Sequence, residues 1–205
     1  MRLFVAVRPP EPVLHHLDRA LRTVATGVDT GNRSSPVRWT EAENRHLTAA
    51  FFGDVVEAFV GELGDAVDAA VAGVEPFELH LRGAGVFAHR TLWVGVGGDV
   101  DGMRRLSDAV RAAGADVVAR SDDRVRSRPH LTVGRVDPSL RRSRSRWSAQ
   151  SQGEDPADVL VRALAVYDGP SWLVQDVQLL ASQPGAGRGG GPLYTPVRTY
   201  RLAAA

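Results

Sequence analysis

Apolar residues recur along this chain with two periods, and the switches between them divide it into elements. A short apolar run from Arg2 to Val7 reads as a strand, and Pro9-Pro10 ends it. Val13, Leu14, Leu17, Leu21 and Val24 follow at helical spacing, which predicts a helix over 12–24. Residues 27–36 are polar and read as a loop, and 37–40 as an extended stretch. Residues 47–52 continue a strand begun at His46 and stopped by Gly53-Asp54. Phe59, Leu63 and Val67 share one face of a helix expected over 55–71, with Gly73 beyond its end. Phe77, Leu79 and Leu81 alternate, as do Leu92, Val94 and Val96, so two strands are expected around a loop at 83–90. A third helix over 101–113 carries Met103, Leu106 and Val110. A strand over 129–136 and a short helix over 158–165 follow. The last strands are expected at 172–180 and 193–202, around a glycine-rich turn at 183–191.

The order is β-α-β-β-α-β-β-α-β, then α-β-β. A strand–helix–strand–strand grouping recurs, which suits an α+β fold of two related lobes with antiparallel sheets and outer helices. A length of 205 residues fits one domain of this kind, spanning 1–205. Between the second strand group and the last helix, 138–157 is polar and rich in Arg and Ser, and reads as an insert.

One tripeptide pattern occurs twice, as His46-Leu47-Thr48 and His130-Leu131-Thr132. Residues i and i+2 of a strand point to the same face, so each copy sets an imidazole beside a hydroxyl. Random placement of 6 His and 9 Thr in 205 residues gives about 0.26 His-x-Thr pairs, so two copies in strand settings need a reason. Facing one cleft, they would form a near-symmetric acid/base site with hydroxyl donors for an anion.

Charge and composition narrow the chemistry. The net charge is +1, too small for a global field that attracts duplex nucleic acid. Every cation is Arg, whose planar fork suits phosphate. Cysteine is absent, which excludes disulfides, a thiolate nucleophile and Cys-based metal sites. No run of 18 apolar residues predicts a membrane span, and the N-terminal stretch reads as a strand and not a signal peptide. A cytoplasmic location and no membrane partner are expected.

Several segments, in order, resemble the two-histidine (2H) phosphoesterases. Within them, they resemble the bacterial and archaeal RNA 2′,3′-cyclic phosphodiesterases, historically called 2′-5′ RNA ligases (LigT-like). These segments are Arg2-Leu3-Phe4-Val5-Ala6, then Arg38-Trp39 with Asn44-Arg45-His46-Leu47-Thr48 and Phe51-Phe52-Gly53. Gly85-Val86-Phe87 and 90–96 match a central hairpin, and 128–135 the second motif block. Ser171-Trp172, Ser182 and Tyr194 fall where the family closes its sheet. Ala49-Ala50, a short loop between Phe87 and Arg90, and the Arg/Ser-rich segment 141–152 depart from the pattern.

The resemblance implies a bilobal LigT-like fold with a central cleft. It implies hydrolysis of 2′,3′-cyclic phosphates on RNA ends or nucleotides to 2′-phosphomonoesters. It assigns His130 as proton acceptor, His46 as proton donor, and Thr48, Thr132 and Arg135 to the phosphate. Unperturbed imidazoles can serve as acid or base near neutral pH, so this scheme requires no metal and no cofactor. Arg135 lies an odd distance from His130, which on a regular strand puts it on the opposite face, where a surface salt bridge is the plainer reading. A bulge or the strand end at Gly134 would re-aim it. Phe87, Arg128 and His89 are candidate substrate contacts, with Phe87 the preferred stacking residue among Trp39, Trp93 and Tyr194. Trp93 reads as core, His80 as the polar face of a strand, and His15 and His16 as helix surface. The Arg141–Arg146 stretch reads as a solvated loop, with RNA-backbone contact as the sharper reading. Competing functions are 2′-5′ phosphodiester cleavage or ligation, and an inactive RNA-binding module. A monomer is expected.

Overall fold

The computed structural model describes residues 1–28, 37–118, 128–136 and 155–203. Its strands are β1 (Arg2–Val7), β2 (Val37–Trp39), β3 (Leu47–Asp54), β4 (Phe77–Phe87), β5 (Thr91–Gly98), β6 (His130–Val136), β7 (Asp168–Val174), β8 (Asp176–Gln183) and β9 (Leu193–Arg201). Its helices are α1 (Glu11–Val28), α2 (Val60–Ala72), α3 (Val100–Val117) and α4 (Pro156–Ala163). The strands make one nine-stranded sheet in the order β7-β4-β5-β6-β3-β1-β8-β9, with β2 beside β6. Every described pairing is antiparallel.

The sheet has two arms of four strands, β6-β5-β4-β7 and β3-β1-β8-β9, which join at the β3–β6 contact. These are the two lobes, and they meet at a single register pair, Leu47 opposite Leu131. Both leucines are 0% exposed. The helices cross between arms. α1 leaves β1 but packs against β7 and α4, and α3 leaves β5 but packs on β3 and α2. Each arm is therefore covered partly by a helix that starts in the other, which ties the narrow seam together.

The four described helices lie on one face of the sheet. Leu17, Leu63, Leu106 and Leu160 meet Leu3, Val5, Val94 and Leu179 there in one core. Alternation sends Phe4, Ala6 and Leu180 to the opposite face, where they form a second, smaller cluster with Phe51 and Tyr194.

Beyond shifts of up to four residues at helix ends, the elements depart from their expected bounds in three places. The expected strand over 172–180 is two strands in different arms, β7 against β4 and β8 against β1. The buried positions Trp172, Val174, Val177 and Leu179 slip phase between Val174 and Val177, and that slip is the break. The expected loop at 83–90 is mostly strand, because Gly83 (φ +56°) absorbs a bulge and β4 runs on to Phe87. The second helix starts at Val60 and not at Val55, whose N–H is taken by the Met1 carbonyl at 2.7 Å as the β1–β3 ladder ends. The polar insert falls largely outside the described residues, as does the Arg/Ser-rich segment 141–152 entirely.

Burial of Leu131 at the seam gives a test. Leu131→Ala should lower the unfolding free energy by about 2–5 kcal/mol in urea denaturation, the usual cost of a fully buried leucine. A loss under about 1 kcal/mol would show that the seam is not closely packed.

Candidate active site

The Leu47–Leu131 pair fixes where the two motifs point. Both leucines face the helices, so residues one step away on either side face the opposite surface. Extending the antiparallel register by one residue sets His46 across from Thr132 and Thr48 across from His130. The four side chains thus form a two-by-two array with each imidazole opposite the other motif's hydroxyl. The histidines lie on the diagonal, a separation of about 7–8 Å in an antiparallel ladder.

Both imidazoles are held in the same way. His46 Nδ1 lies 2.9 Å from the Asn44 carbonyl, and His130 Nδ1 lies 3.1 Å from the Arg128 carbonyl. A carbonyl only accepts, so Nδ1–H donates in both, and proton exchange falls to Nε2. The chain before His46 is anchored further. Arg45, 6% exposed, pairs with Asp18 on α1 at 2.5 Å and donates from Nε to the Thr40 carbonyl at 3.0 Å. Asn44 donates from Nδ2 to the Pro192 carbonyl at 3.1 Å, which ties the β8–β9 turn to this motif. These supports escaped the sequence reading. Their signal was a charged and an amide residue immediately before an apolar strand.

Each histidine also has an aromatic pair. His46 lies 4.9 Å from Phe4 and 5.2 Å from Tyr194, ring centroid to centroid. His130 lies 4.9 Å from Phe87 and 6.1 Å from Trp93, and Phe87 stacks on Trp93 at 5.2 Å. Trp93 is therefore not core, as read from its apolar strand. It alternates against buried Leu92 and Val94, and its ring lies over Gly85, where a Cβ would stand 2.2 Å from it. Phe4 alternates against Leu3 and Val5 in the same manner. Trp39 packs against the main core.

A bulge follows each motif. On β6 the register moves from Trp93–Thr132 to Leu92–Gly134, so one extra residue is inserted. Val133 and Gly134 are both buried, and exposed Arg135 returns to the face of His130 and Thr132. A Cβ on Gly134 would meet Val37 Cγ1 at 2.8 Å, so the bulge packs against β2 only with glycine there. On β3 the register moves from Ala6–Thr48 to Val5–Ala50, and Phe51 takes the equivalent position. Arg2 caps Phe51 with its guanidinium 5.1 Å from the ring centre. Burial pushes the Tyr194 phenol up, while the charges of Arg135 and Arg2 pull it partly back.

The other candidates lie at the rim. Arg128 is exposed and contributes its carbonyl to His130. His89 is exposed at the tip of the β4–β5 hairpin, where Ala88 and His89 both have positive φ, 48° and 52°. His80 stands 3.4 Å from Asp168, His16 bonds the Tyr167 hydroxyl at 3.1 Å, and His15 is exposed. Among the described residues no group of three or more His, Asp or Glu converges as a metal site. Among the described residues no helix is long and apolar enough to cross a membrane.

The sequence model of the 2′-5′ RNA ligase superfamily matches residues 37–170. A Methanothermobacter thermautotrophicus protein named RNA 2′,3′-cyclic phosphodiesterase is 31% identical over 98% of this chain and 99% of its own. This chain belongs to the 2′-5′ RNA ligase superfamily. The resemblance to 2H phosphoesterases noted on the motifs thus extends over almost the whole length. The fold agrees. TT0787 of Thermus thermophilus superposes with a TM-score of 0.69 at 22% identity, covering 98% of both chains. E. coli LigT in its apo form does so with a TM-score of 0.69 at 21% identity, covering 99% of this chain and 98% of its own.

The hairpin beside Phe87 carries two non-glycine residues in the left-handed region, which suits Asn-Gly better. Ala88→Asn with His89→Gly should raise stability by about 0.5–1 kcal/mol. Thermal or urea unfolding measures the gain, and unchanged turnover would remove the His89 imidazole from substrate binding.

Proposed function

We propose that this protein hydrolyses RNA or nucleoside 2′,3′-cyclic phosphates to 2′-phosphomonoesters by proton exchange between His46 and His130, without a metal or cofactor. The observation that carries the reading is the Leu47–Leu131 pair with an Nδ1-anchored imidazole beside each leucine, from which the two-by-two arrangement of histidines and threonines follows. The names of the relatives agree with it.

In this reading the reacting phosphate sits between the imidazoles. Water attacks phosphorus while neutral His130 takes its proton at Nε2. The bond to the ribose 3′ oxygen breaks, and His46, protonated at both nitrogens, supplies that oxygen with the Nε2 proton. The product keeps a 2′-phosphate. Thr48 and Thr132 donate to the non-bridging oxygens, and Arg135 offsets their charge. Phe87, with Arg128 and His89 at the rim, would meet the nucleoside. The substrates are RNA ends or nucleotides.

A second reading, cleavage or formation of a 2′-5′ linkage, is favoured by one feature. An aromatic pair stands beside each histidine, which suits a phosphate with a nucleoside on both sides. The two readings separate when each substrate is offered alone.

Incubation with a nucleoside 2′,3′-cyclic phosphate in EDTA should give the 2′-phosphate. His46→Ala and His130→Ala should each lower kcat by about 10²–10⁴-fold, the range of general acid–base catalysis. Thr48→Ala and Thr132→Ala should each cost about tenfold, in line with loss of one hydrogen bond to a charged group. Wild-type rates in either histidine variant would reject the scheme.

A further inference from the structure

We propose that Arg38, together with Arg135, forms a second phosphate clamp that holds the internucleotide phosphate next to a terminal 2′,3′-cyclic phosphate. The proposal rests on the phosphodiesterase reading and adds a preference for RNA ends over mononucleotides.

β2 runs antiparallel to β6 with Arg38 directly opposite Arg135. Residues in that relation share a face, and the bulge has already brought Arg135 to the face of the two motifs. Both side chains are exposed. Neither has an ion-pair or hydrogen-bond partner among the described residues, whereas Arg45, Arg104, Arg105, Arg111 and Arg198 each pair with aspartate. Like charges directly opposite on a sheet destabilise it, and an anion between them reverses the sign. Two guanidinium forks on directly opposite residues can close on one phosphate with planar, paired donors that lysines would not reproduce.

The placement fits the next phosphate along an RNA chain. Arg135 lies three residues beyond Thr132, about 10 Å of strand at most. Arg38 lies one strand across from it, on the edge that leads towards His46. Its Nη2 is 3.6 Å from where a Cβ on Gly191 would stand, so the guanidinium runs beside the β8–β9 turn. Arg135 can therefore serve the reacting phosphate and still border the clamp, while Arg38 is left for the neighbouring one.

The test compares a nucleoside 2′,3′-cyclic phosphate with a dinucleotide ending in the same cyclic nucleotide. Arg38→Ala should lower the dinucleotide-to-mononucleotide ratio of kcat/KM about tenfold, mainly through KM, and Arg38→Lys should restore part of it. The wild-type protein should show a steeper log–log salt dependence on the dinucleotide, by up to about 0.7 for one added phosphate contact. That excess should vanish in Arg38→Ala. An equal loss on both substrates would assign Arg38 to the reacting phosphate, and no loss on either would remove it from binding; both overturn the clamp. If the wild-type protein turns over neither substrate, the phosphodiesterase reading fails by itself. The clamp is then read from calorimetric binding of a dinucleotide with a terminal 2′-phosphate against the nucleoside 2′-phosphate. Equal affinities for the two, or no effect of Arg38→Ala on their ratio, would overturn it.

Discussion

The contact between Leu47 and Leu131 is the constraint on which the rest depends. It is the one register pair between β3 and β6, and it settles two things together. It joins the two arms into a continuous sheet, and it sends His46, Thr48, His130 and Thr132 to the face away from the helices. A slip of one residue would turn the motif side chains into the core and bring leucine to the cleft. So narrow a junction needs support from elsewhere, and the crossed helices α1 and α3 provide it by packing on the arm they did not come from.

The bulges after the motifs are the second device. A regular strand would alternate Arg135 to the helix side of the sheet, where a guanidinium has no place in an apolar core. One inserted residue returns it to the cleft, and the same insertion on β3 returns Phe51. Gly134 is bound to this geometry, because β2 packs where its side chain would be. The near-symmetry of the arms is thus a symmetry of backbone. The residue type at the equivalent positions, cation on one arm and aromatic ring on the other, is where it breaks.

Much of this was legible in the residues. Period-2 and period-3.6 patterns found the helices and most strands, because one-sided burial writes itself into sequence. The His-x-Thr copies stood out because strand geometry makes i and i+2 neighbours. What escaped did so for separate reasons. Trp93 is an apolar residue on the cleft face, and hydrophobicity alone assigns such a residue to the core. Alternation against Leu92 and Val94 carried the contrary signal. The break between β7 and β8 appears only as a phase slip, and the Arg45–Asp18 pair joins residues with no sequence relation.

The matching anchors on the two histidines bear on how such a site can work. Each Nδ1 donates to the carbonyl two residues earlier, so neither imidazole is fixed by its own support as the acid or the base. In the reaction proposed above this is a requirement and not an ambiguity. The histidine that gives up a proton in hydrolysis must take it back in the reverse direction, so both need the same tautomer and an Nε2 aimed at the phosphate. A carboxylate behind one histidine would favour its charged form and bias it towards one role. Backbone carbonyls orient both rings with far less bias. The assignment of acid and base then falls to whatever differs between the arms, namely Arg135 against Phe51 and the nucleoside's choice between the Phe4–Tyr194 and Phe87–Trp93 pairs.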